Sequence, residues 1–195
     1  MRTRLLTSVI TAACVISLAG CGTGSSPEQT PPSPTQAASP IPPVKNPRDV
    51  AAMSRRTCEL LTSQQGKSFG LDLPPRQSDG LFGTLRCEWT STTSDRRTAR
   101  RVAISVFTNN PTLEVAYSKR QGLPFFELTQ VAGYPAIVAR PNADLPVCDI
   151  DVKTAERQSV TVIYESKEFD SNPQQSCEVG KQVAAAVVMN LPPKS

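Results

Sequence analysis

The chain has 195 residues, with 21 Lys+Arg against 17 Asp+Glu, six cysteines, 18 prolines and no histidine. A net charge of +4 over this length gives no support for a nucleic-acid partner, which calls for a basic patch. The missing imidazole excludes Ser-His-Asp and Cys-His catalysis and removes a common zinc ligand.

The first element is a leader. Arg2 and Arg4 precede a mostly apolar stretch, Leu5 to Ala19, interrupted by Thr7, Ser8, Thr11 and Ser17. Leu18-Ala19-Gly20-Cys21 then supplies a small-residue exit ending at a thiol. That order reads as a secretory signal, and its last four residues resemble a bacterial lipobox. There the cysteine sulfur receives a diacylglycerol, the leader is cut off and the cysteine becomes the new N-terminus. A spanning helix needs roughly 20 apolar residues, and this stretch is shorter and punctuated by hydroxyls. Residues 1–20 are therefore expected to be a lipoprotein signal peptide and Cys21 the lipidation site. The chain would then sit at the outer face of the cytoplasmic membrane.

Residues 21–45 form the expected tether. Pro27, Pro31, Pro32, Pro34, Pro40, Pro42 and Pro43 stand among Ser, Thr, Gln and Ala without a periodic apolar face. Such a segment cannot bury a core, and it extends by about 3 Å per residue.

Residues 46–195 are read as one domain, long enough to bury about 70% of the surface its unfolded chain exposes. Cys14 leaves with the leader and Cys21 is acylated, so Cys58, Cys87, Cys148 and Cys177 remain. An even number of cysteines in an exported domain argues for two disulfides, with three pairings open. No Cys-x-x-Cys is present, so a zinc site is not expected.

Asn46-Pro47, with Asp49 following, has the form of a helix start. Thr62 to Gln65 has the form of a capping box opening a second short helix. Gly70 to Gly83 reads as loop. Leu85 to Trp89 alternates apolar and charged residues, and Val102, Ile104 and Val106 alternate after a polar hairpin loop, so both read as strands. Asn110-Pro111 opens a helix carrying Leu113, Ala116 and Tyr117. Phe125 to Val131 and Ala136 to Ala139 read as strands around a turn at Ala132-Gly133. Two further strands carry Cys148, Ile150 and Val152, then Val160, Val162 and Tyr164. Asn172-Pro173 opens the last helix, which turns Cys177, Ala184, Val187, Val188 and Leu191 inward and ends at Pro192-Pro193. Strands joined by short connections favour an α+β fold, an antiparallel β-sheet flanked by helices.

Several segments together carry a family likeness. They are the lipobox-like Leu18 to Cys21, the Pro-rich tether, Cys58-Glu59-Leu60-Leu61-Thr62 and Cys87-Glu88-Trp89. Val131-Ala132-Gly133-Tyr134-Pro135-Ala136, Cys148-Asp149-Ile150-Asp151-Val152 and Cys177 ahead of an Ala-rich helix complete the set. In this order and spacing they resemble the domain-of-unknown-function 3558 family of small actinobacterial lipoproteins. Thr57 before Cys58 departs from the Asp-Pro-Cys type of start. The resemblance implies an extracytoplasmic four-cysteine domain, pairing of Cys58 with Cys87 and of Cys148 with Cys177, and a sheet similar to the PsbP-like fold. It carries no activity and no site residues.

Candidate sites are few. Arg96, Arg97, Arg100 and Arg101 are the densest cationic run, suited to anionic headgroups or wall polymers because arginine pairs bidentately with phosphate; a solvated loop is the plainer reading. Asp149 and Asp151, with Asp144 nearby, bring a Ca²⁺ site to mind, but no EF-type loop is present. Their alternation with apolar residues assigns them to an outward polar face. Trp89, the sole tryptophan, reads as a core aromatic near a disulfide. Tyr117, Phe125, Phe126 and Tyr134 read as core packing in preference to a pocket lining. No catalytic motif, metal site or cofactor site is indicated. The expected role is a non-enzymatic, membrane-anchored binding or interaction domain, its partner an envelope protein or a small or lipidic ligand. The alternative is a carboxylate-dependent wall or glycan hydrolase.

Overall fold

The computed structural model describes residues 39–92, 95 and 97–194. The leader, Cys21 and Arg96 lie outside the described residues.

Strands β1 (Arg76–Asp79), β2 (Leu85–Thr90), β3 (Arg100–Phe107), β4 (Phe125–Val131), β5 (Tyr134–Arg140), β6 (Val147–Ala155) and β7 (Gln158–Ser166) form one sheet, in spatial order β1-β2-β3-β7-β6-β5-β4. Every neighbouring pair is antiparallel. The helices are α1 (Ser63–Ser68), α2 (Thr112–Ser118) and α3 (Gln174–Met189). The α+β class and the antiparallel sheet are those expected from the sequence.

Period-two alternation sorts the strand side chains into two layers. Cys87, Trp89, Val102, Ile104, Val106, Ile150, Val152, Val160, Val162 and Tyr164 are all buried on one face, in the main core. Helix α3 seals that face with Cys177, Val183, Ala184, Val187 and Val188. Gly180 permits the close approach: a Cβ there would lie 2.5 Å from Ile150 Cδ1 and 3.2 Å from Tyr164 Cβ. The opposite face holds a smaller cluster, in which Leu113 of α2 and Ile41 pack on Ile137 and Ala139 of β5.

Two disulfides fasten helical segments to the sheet. Cys58–Cys87 ties the 3-10 turn Thr57–Leu60 to β2, and Cys148–Cys177 ties β6 to α3. This is the pairing that the family resemblance implies.

Local signals explain the helix starts. The Thr62 hydroxyl accepts a bond from the Gln65 amide at 3.2 Å, and the Gln65 side chain accepts from the Thr62 amide at 2.9 Å, which is the capping box that opens α1. Helices α2 and α3 begin just after Asn110-Pro111 and Asn172-Pro173. Three segments differ from expectation. Asn46-Pro47 starts no helix, because Arg48 is drawn into an antiparallel bridge with Pro193, its N–H donating to the Thr154 carbonyl at 2.8 Å and that of Asp49 to the Pro192 carbonyl at 2.9 Å. Asp49 Oδ1 instead accepts from the Ala51 amide at 2.9 Å and begins a 3-10 turn, Ala51–Met53. The Gly70–Gly83 stretch is not all loop, since it contains β1, whose four residues are all exposed and show no apolar alternation. Finally, packing reaches back beyond Asn46: Ile41 is only 3% exposed.

Candidate functional site

The sheet face that carries α2 is covered unevenly. Helix α2 reaches β5, β6 and β7, and Glu114 on it accepts from Lys153 Nζ of β6 at 2.9 Å. Ser159 of β7 donates to the Thr112 hydroxyl at the start of α2, also at 2.9 Å. Further across, β7, β3 and β2 present a polar surface whose rows follow from the register. Asp151, Thr161, Ser105 and Arg86 lie opposite one another in sequence, and Asp149, Ile163, Ala103 and Glu88 form the next row.

Four ion pairs cross this surface in a chain. Arg86 lies 3.4 Å from Glu88, Glu88 3.7 Å from Arg101, Arg101 3.0 Å from Glu165, and Glu165 3.5 Å from Lys167. Partly exposed pairs of this kind contribute about 0–1 kcal/mol each, so the lattice orders the surface more than it stabilises the fold.

At its border with the α2 cluster stand the two carboxylates. Asp149 and Asp151 are two residues apart on one strand face, about 7 Å at the backbone. Burial pushes Asp149 up to about 6, although the Arg86 guanidinium pulls the other way. Burial pushes Asp151 further, to about 7; the hydrogen bond from the Thr161 hydroxyl opposes this, and the neighbouring Asp149 adds to it. Both residues are half-buried, which corrects the outward solvated face assigned to them from alternation. Alternation shows which residues share a face; it does not show that α2 and the Ile41 segment crowd that face. Among the described residues, no group of three or more Cys, Asp or Glu side chains is placed to hold a metal ion. Asp144 is exposed, in the turn where its amide donates to the Asn142 side chain.

The arginines do not converge. Arg100 and Arg101 are neighbours on β3 and so point to opposite faces. Arg100 Nη2 donates to Glu168 at 2.5 Å, and Arg101 belongs to the ion-pair chain with Glu165 and Glu88. Arg97 pairs with Asp95 in the exposed hairpin loop. The aromatic residues also separate: Tyr117 meets Phe126 edge-on at 5.9 Å in the α2 cluster, whereas Phe125 and Tyr134 pack with the main core.

A hollow of about 270 Å³ opens beside Trp89, between Ser63 and Lys67 of α1 and the segment Leu71 to Pro75. Trp89 is 2% exposed and its indole N–H has no partner among the described residues. Asp72 at the rim is committed to Thr92, whose hydroxyl and amide hold its carboxyl below the usual range. Sequence reasoning missed this hollow because its walls come from α1, β2 and a loop that only the fold brings together.

An antiparallel seven-stranded sheet, sealed by one long helix and fastened by two disulfides, defines a small α+β domain. The chain belongs to the DUF3558 family, described as proteins of unknown function, whose family model matches residues 16–190. No curated protein and no solved structure matches it.

Proposed function

We propose that this protein is a membrane-anchored, extracytoplasmic binding or interaction domain, carried on a lipidated Cys21 at the outer face of the cytoplasmic membrane. The observation that carries the reading is the pair of disulfides behind a leader that ends at a cysteine. Structural disulfides persist in oxidising compartments, and Cys58, Cys87, Cys148 and Cys177 are all used to fasten the fold. The uneven cover of the α2 face supports the binding role. It leaves polar and small side chains in register on β7, β3 and β2, a surface suited to another envelope protein. The hollow beside Trp89, walled by Leu71, Leu73, Pro74 and Pro75, suits a small ligand with an apolar body.

The anchor is tested by mass spectrometry of the mature chain and by fractionation of Cys21→Ala. Acylated Cys21 at the N-terminus is expected, with the variant left uncleaved or released. Unchanged membrane retention of a processed Cys21→Ala protein overturns the reading.

The raised carboxyls of Asp149 and Asp151 favour one second reading, a hydrolase acting on wall or glycan. An acid that titrates near neutrality is what general acid catalysis requires. Release of reducing ends from isolated wall by the native chain, lost in Asp149→Asn and in Asp151→Asn, would carry it. No release above background would leave the binding role.

A further inference from the structure

The two edges of the sheet are unlike. The β1 edge is blunted: it is four residues long, follows Pro74-Pro75 and carries Arg76 and Asp79 at its ends. The β4 edge is seven residues long, has no proline, pairs with β5 without a bulge from Phe125 to Val131, and bears a single charge, Glu127. Exposed edges of that kind are templates for strand addition, and proteins commonly protect them with proline, lysine or a bulge.

The hairpin turn identifies which backbone groups of β4 are free. Ala132 and Gly133 both take positive φ, 51° and 83°, so the turn has two residues and closes on the pair Val131–Tyr134. A two-residue turn closes on a hydrogen-bonded pair, so alternation sends the amides and carbonyls of Val131, Thr129, Glu127 and Phe125 toward β5. Those of Phe126, Leu128 and Gln130 point away from the sheet. Among the described residues they have no backbone partner.

We propose that β4 pairs antiparallel with β4 of a second copy of this chain, on a twofold axis through Leu128, joining the two sheets into one. This register uses every outward amide and carbonyl. Leu128 meets Leu128 of the second copy, and Phe126 meets Gln130. Between these, Glu127 faces Thr129 and Phe125 faces Val131, so no like charges oppose. The neighbouring registers are worse. An axis through Glu127 sets that carboxylate against its own copy and pairs Gln130 with Pro124, which has no N–H to give. An axis through Thr129 runs Phe126 into Ala132 of the turn. The self-complementary register names a second copy as the occupant, and Leu128, 38% exposed, supplies an apolar contact on the axis.

The test is cross-linking of the full chain in native membranes. Directly opposed residues in a hydrogen-bonded pair lie about 5.5 Å apart at Cα, within disulfide range. Leu128→Cys is therefore expected to run mainly as a reducible dimer after mild oxidation. Thr129→Cys, on the other sheet face and opposite Glu127, is expected to stay monomeric. Adding Gln130→Pro to Leu128→Cys removes one outward N–H, leaves the β5 ladder intact and should lower the dimer yield several-fold. Dimer yield for Leu128→Cys no higher than for Thr129→Cys overturns the proposal, as does a Leu128→Cys adduct formed only with a different protein. The outcome does not depend on the acylation of Cys21, which is read separately by mass.

Discussion

Asp151 combines a buried acid, a hydroxyl donor in Thr161 and an acidic neighbour in Asp149, and these give a pH dependence whose sign is fixed. Its folded value of about 7 stands above the usual 3.8, so between those values the folded chain holds a proton that the unfolded chain has lost. Stability from this proton is fully present below pH 3.8 and is lost as pH rises through about 6 and 7, where Asp149 and Asp151 titrate. Asparagine mimics the protonated acid. Asp151→Asn should match the native chain near pH 3, where the acid is protonated in both states, and exceed it increasingly as pH rises, by about 1–2 kcal/mol near pH 8 after allowance for the partial solvent contact of the site. Urea midpoints at the two pH values decide this; an unchanged decline in the variant would show that the carboxyl is not the source. The residue types were legible in the sequence, but their burial was not. Cys148-Asp149-Ile150-Asp151-Val152 states a period of two, and only the tertiary placement of Leu113 and Ile41 reveals that the polar side of this strand is also crowded.

Elements were legible where local chemistry and hydrophobic period agreed. Phe125 to Val131, the Thr62 capping box and the two Asn-Pro starts at 110–111 and 172–173 were read correctly. The same Asn-Pro signal failed at 46–47, where the antiparallel bridge of Arg48 with Pro193 takes precedence over a helical turn. Strand β1 was invisible because an exposed edge has no buried face to impose alternation. Helix α3 was legible from its apolar stripe, and its attachment is more than hydrophobic. The Cys148–Cys177 bridge closes a 29-residue separation, for which chain entropy gives about 3.5 kcal/mol. Cys148→Ser with Cys177→Ser is expected to lower the unfolding free energy by about 3 kcal/mol in denaturant titration; a loss under 1 kcal/mol would mean that the packing of Val183, Val187 and Val188 alone holds the helix.

At the scale of the molecule, the α+β body was legible, because strands joined by short connections point to an antiparallel sheet flanked by helices. The hollow beside Trp89 and the contrast between the two sheet edges were not indicated, since both depend on which strands become neighbours. The join between the two ends of the body was equally hidden. Arg48 stands at its centre: Nε donates to the Tyr134 hydroxyl at 3.0 Å, Nη1 donates to the Leu191 carbonyl at 2.8 Å, and the Tyr134 hydroxyl donates to the Asn46 carbonyl at 2.9 Å. Lys194 N–H closes the seam by donating to the Pro47 carbonyl at 3.0 Å.

That seam decides how the body responds to traction. A pull on the chain ahead of Ile41 reaches a strip whose bonds to Thr154, Pro192, Leu191 and Lys194 lie across the direction of the strip. Drag from that side is delivered into β6 and into the segment that follows α3, so the strip comes away only when both let go.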